Sequence, residues 1–115
     1  MAAPKATIRD FLGTLDYLMA RCGIAQRSGD KAELLSDVLY VRGELSRAKA
    51  ALERVELFEV AERSLAQTEK LVAHDQIHDA DRLVLSLAIV ISELTGQNDT
   101  LRRHANQTPR KSEMQ

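Results

Sequence analysis

His74 and His78 stand four residues apart, with Asp75, Asp79 and Asp81 beside them. On one continuous helix the two imidazoles would share a face and could hold a divalent transition metal. A structural zinc site takes four ligands and a catalytic one takes three plus water. Cys22 or a carboxylate would have to complete the set, and nothing in the spacing requires that. A chain reversal between the two histidines would separate them within a monomer. The plainer reading is a polar turn followed by acidic helix-start residues, and no metal or cofactor is expected.

His74 also invites comparison with the phospho-accepting histidine of helical phosphotransfer domains, which the chain is similar to in size and class. There the histidine is normally followed by a Lys-Gly pair, whereas Gln76, Ile77 and His78 follow here. That is a likeness of fold class alone. No glycine-rich phosphate loop, nucleophile elbow or metalloprotease helix motif occurs. Glu56 and Glu59 are paired carboxylates on a charged exterior, without the apolar pocket that would raise one pKa. Cys22 continues an apolar stripe and is expected to be a buried, inert thiol, and a single cysteine forms no internal disulfide. The expectation is a protein that is not an enzyme.

Arg102, Arg103, His104, Arg110 and Lys111 make the C-terminal stretch basic. Such a stretch could touch phosphate backbones non-specifically, as in a dimeric nucleic-acid accessory or transcription-regulatory factor, with Arg102, Arg103, Arg110 and Lys111 as contacts. The formal net charge of −1 argues against a generic polyanion binder. No helix-turn-helix signature accompanies the basic residues.

The elements that would position any of these groups are helical. From Leu83 to Leu94 only Ser86, Ser92 and Glu93 interrupt an apolar run. Wound as a helix it is apolar on nearly every side, and such a helix must be covered on every side. Leu83, Leu87, Val90 and Leu94 share one face, and Ile91 and Ile89 lie on two others. Two helices of one small chain cover two faces, so the third calls for a second copy or another protein. Leu83, Leu87, Ile89, Val90, Ile91 and Leu94 are therefore the expected interface. The run is far below the about 20 residues of a membrane span, and no signal peptide is expected at the N-terminus.

Upstream, Thr7-Ile8-Arg9-Asp10 resembles a capping box, and Ile8, Phe11, Leu12, Leu15, Leu18, Met19 and Cys22 form one amphipathic face. Gly13 could mark a close backbone approach. Ser28-Gly29-Asp30 is the clearest break, with Asp30 as a cap and Glu33 reaching back to it. From there to residue 74 a single long helix is expected, with Gly43 the first place for a kink. Leu52, Val55, Phe58 and Ala61 then fall in steps of three, where a strict coiled coil would overwind. The next turn lacks Gly and Pro and is placed at 74–79, with Asp75 as the cap. The third helix stops at Gly96.

These readings give an all-α fold of three main helices, 7–27, 30–74 and 76–95, with or without a short fourth at 98–105. They would pack as an antiparallel bundle or an elongated hairpin completed by homodimerisation. Residues 1–105 form one domain and 106–115 a flexible polar tail. The function expected is a small cytoplasmic protein–protein interaction module, an adaptor, chaperone or inhibitor, without a membrane anchor.

Overall fold

The computed structural model describes residues 5–96, and within them five helices and no strand. They are α1 (Ile8–Ser28), α2 (Lys31–Arg47), α3 (Lys49–Arg54), α4 (Phe58–Ala73) and α5 (Ile77–Thr95). The expected all-helical class is found, but with five helices in place of three. The short helix expected at 98–105 and the tail at 106–115 lie outside the described residues.

The start of α1 is the capping box read from the sequence. The Asp10 N–H donates to the Thr7 hydroxyl and the Thr7 N–H donates to the Asp10 carboxylate, both at 3.0 Å. The helix passes through Gly23 and ends at Gly29, whose φ of 75° is the left-handed conformation that glycine adopts without a steric penalty. Asp30 then caps α2 by accepting from the Glu33 N–H at 3.0 Å. The reciprocal arm is absent: the Asp30 N–H goes to the Ser28 hydroxyl, and Glu33 pairs with Arg21.

The single long helix expected over 30–74 is instead three helices. Gly43 does not break it. The first kink is at Ala48, a fully buried residue, and it has an identifiable partner. The carbonyl of Arg47 accepts from the Ala6 N–H at 3.1 Å, which ties the end of α2 to the start of α1. The second break follows α3, where the steps of three had run. Val55 is left outside at 40% exposure, and Leu57 is buried in its place. Glu56 takes a φ of 60°, the Glu56 N–H donates to the Glu53 carbonyl (3.1 Å), and the Leu57 N–H donates to the Leu52 carbonyl (2.9 Å). That is a Schellman ending with glutamate in the place usually held by glycine. The α4–α5 turn repeats it. Asp75 has φ 63°, its N–H reaches the Val72 carbonyl (3.0 Å), and the Gln76 N–H reaches the Leu71 carbonyl (2.8 Å). Asp75 is thus the left-handed residue of the turn rather than the cap of α5.

Cross-links fix the direction of each helix. Ala6 meets Arg47, and Arg21 on α1 pairs with Asp37 (2.8 Å) and Glu33 on α2, so α1 and α2 are antiparallel. Lys31 at the start of α2 reaches the Ala73 carbonyl (3.3 Å) and Asp75 (3.4 Å) at the end of α4. α5 then returns antiparallel to α4 and α1. Each of the four longer helices has two main neighbours: α1 packs on α2 and α5, and α4 packs on α2 and α5. One core runs between them, with Phe11, Leu15, Leu18, Leu34, Leu52, Leu65 and Ile91 its largest fully buried side chains.

Candidate interaction surface

The structure separates the expected interface residues of α5 into two groups. Leu87 and Ile91 are core, at 3% and 0% exposure. Leu83 and Ile89 are half-buried, while Val90 and Leu94 are open at 38% and 67%. The inward side of α5 is Ala80, Val84, Leu87, Ala88, Ile91 and Ser92. Helices α1 and α4 therefore cover more of α5 than the sequence suggested, and one flank remains.

That flank can be located. Asp81 is close enough to Cys22 on α1 for its charge to add to the effect of burial on that thiol, which puts Asp81 on the α1 side of α5. At 100° per residue Leu83, Val90 and Leu94 lie on the other flank, towards α4. On α4, Glu69 takes Arg42 of α2 at 2.7 Å, so the opposite flank, with Val60, turns towards α5. Val60 is 43% exposed, and it is as far before Asp75 as Val90 is after it. The antiparallel pair thus sets Val60 and Val90 at one level, with Leu94 beyond and half-buried Leu83 and Leu71 along the same seam. The sequence reading missed Val60, which lies among charged residues off the main apolar stripe of the long helix.

The titratable candidates are not brought together. His74 is the residue after α4 and His78 lies in the first turn of α5, both exposed, with the left-handed Asp75 between them. The one-helix geometry that would let them share a metal is therefore not formed. Among the described residues no group of three or more His, Cys, Asp and Glu side chains is placed to hold a metal ion. Cys22 is buried, and burial pushes its thiol up to about 12. Glu56 and Glu59 line an open acidic cleft of about 590 Å³ with Glu53, Glu62 and Phe58, and the Lys49 ammonium sits 5.2 Å from the Phe58 ring. Among the described residues two polar side chains are fully buried: the Thr68 hydroxyl donates to the Ser64 carbonyl (2.7 Å), and the Ser92 hydroxyl has no hydrogen-bond partner there.

A second exposed apolar feature, also unread in the sequence, lies between α1 and α2. Tyr17 and Tyr40 are 42% and 54% exposed and pack edge to face, with ring centroids 5.8 Å apart. Each stands off the buried stripe of its helix, which is the signal that was available. Arg102, Arg103, Arg110 and Lys111 lie outside the described residues. No helix among the described residues is long and apolar enough to cross a membrane. No protein-family model, curated protein or solved structure matches the chain.

Proposed function

We propose that the protein is a small non-enzymatic interaction module, a four-helix bundle with one short extra helix, that pairs with a second copy through the α4–α5 seam. The observation carrying this is the exposure of Leu94 and Val90 on the α5 flank beside Val60 of α4. Leu83, Val90 and Leu94, seven and four residues apart, share the helix face that can seat against another helix. A two-fold partner would lay the same seam of α4 and α5 against its own copy, so each apolar flank covers the other.

The mechanism is burial and exclusion. The paired surface presents a fixed helical face to a further protein, in the manner of an adaptor, chaperone or inhibitor. Light scattering over a dilution series tests the pairing. A mass near twice 12.8 kDa that falls to the monomer value in the Val90→Glu, Leu94→Glu double variant supports it. A wild-type monomer at every concentration removes it.

A further inference from the structure

The groove between α1 and α2 has a chemistry distinct from the α4–α5 seam. Asp10, Gly13, Thr14, Tyr17 and Tyr40 line an open space of about 430 Å³. At Gly13 a Cβ would meet nothing within 4 Å, so this glycine leaves the floor open, contrary to the close approach expected of it. Tyr17 is held in place: its hydroxyl donates to Asp37 at 3.0 Å, and Arg21 holds the other Asp37 oxygen at 2.8 Å. Tyr40 completes the aromatic wall. Asp10 lines the groove, and Asp37 meets the Tyr17 hydroxyl beside it. Hydrogen bonds from the Thr7 backbone and hydroxyl hold the Asp10 carboxyl below its ordinary range, so it stays charged. Exposed aromatic faces beside a carboxylate such as Asp10 suit a guanidinium group, which stacks on a ring while its N–H groups reach the acid.

The chain carries such groups within reach. α5 runs antiparallel to α1, so Gly96 leaves the helical core at the end where Thr7 and Asp10 begin α1. Residues 97–101, extended, span at most about 17 Å, about half the circumference of a helix about 10–12 Å across, which brings the chain round α1 to the Asp10 end of the groove. Leu101, Arg102 and Arg103 come next. We propose that the segment following Gly96 docks on its own chain, placing Arg102 and Arg103 in the Tyr17–Tyr40 groove. The groove then competes for the same basic residues that a nucleic acid would need, and a polyanion has to displace them from the tyrosines.

The composition supplies a site-specific probe. The chain has two tyrosines and no tryptophan, so its tyrosine emission reports this groove alone. The experiment is acrylamide quenching of the full chain at low and high salt, beside the Arg102→Glu, Arg103→Glu double variant. Covering one face of each ring implies a rise of about twofold in the quenching constant when the charges are reversed. High salt should raise the wild-type value in the same way and leave the variant unchanged. NMR ring-proton resonances of Tyr17 and Tyr40 should move in the variant while those of buried Phe11 stay. Equal quenching constants for wild type and variant at low salt overturn the proposal, and so does protection that disappears on dilution.

Discussion

The backbone N–H of Leu57 donates to the carbonyl of Leu52 at 2.9 Å, and both side chains are buried. Between them Glu56 is forced to a φ of 60°. A left-handed glutamate is disfavoured by the contact between its Cβ and the following carbonyl oxygen, and glycine has no Cβ. Glu56→Gly should therefore stabilise the fold by roughly 0.5–1 kcal/mol, raising the thermal midpoint by several degrees. Glu56→Ala removes the same charge but keeps the Cβ, and should not gain. Equal midpoints for the two variants in calorimetry would show that charge, not backbone, limits this turn.

The division of α5 into core and flank predicts opposite responses along one helix. Ile91→Ala should lower stability by about 2–5 kcal/mol, because Ile91 is fully buried. Leu94→Ala on the isolated monomer should change it by no more than about 0.5 kcal/mol. Denaturant titration at a concentration where the protein is monomeric reads both.

Cys22 gives a pH dependence with a definite sign. Burial raises its pKa in the folded chain to about 12, above that of an exposed thiol. Between those two values the unfolded chain has lost the proton and the folded chain keeps it. Rising pH therefore removes stability across that window, and none is lost below it. Each pH unit removes about 1.4 kcal/mol. Cys22→Ala should lack this component, so wild type minus variant, followed from pH 8 to 11 by urea unfolding, isolates it. In the folded state the thiol should resist maleimide at pH 8.

Asp10 works in the opposite direction. The Thr7 hydrogen bonds lower its pKa, so its contribution is present above the ordinary carboxylate value and is lost as pH falls through the lowered one. Thr7→Ala should lower the thermal midpoint at pH 7, and the gap to wild type should narrow at pH 2. A gap independent of pH would assign the effect to the hydroxyl alone.

These contrasts show what the residues announce in advance and what they do not. Thr7, Asp30 and Gly96 carry their local geometry in their own chemistry, as caps and a left-handed ending, and were legible one by one, whereas the left-handed end of α1 falls at Gly29 and not at Gly23, where Ile24 offered the apolar contact of such a cap. The endings at Glu56 and Asp75 were not, because an acidic residue there looks like any solvated position. The kink at Ala48 was illegible for another reason: its partner, Ala6, is distant in sequence. The flank of α5 was readable as apolar, but which part stays open depends on how α1 and α4 seat against it. Val60 and the tyrosines needed the three-dimensional neighbourhood to be seen as parts of surfaces.

The packing of the first helix on the last has a consequence for synthesis. Leu12, Leu15 and Cys22 emerge early, yet α5, one of the two helices that cover α1, is translated last. As the chain leaves the ribosome, α1 and α2 can pair, but the ring of four helices cannot close until Ile91 has cleared the exit tunnel. Through that interval the nascent protein carries an open apolar trough, so its vulnerability to aggregation should depend on the rate of elongation across α3 and α4.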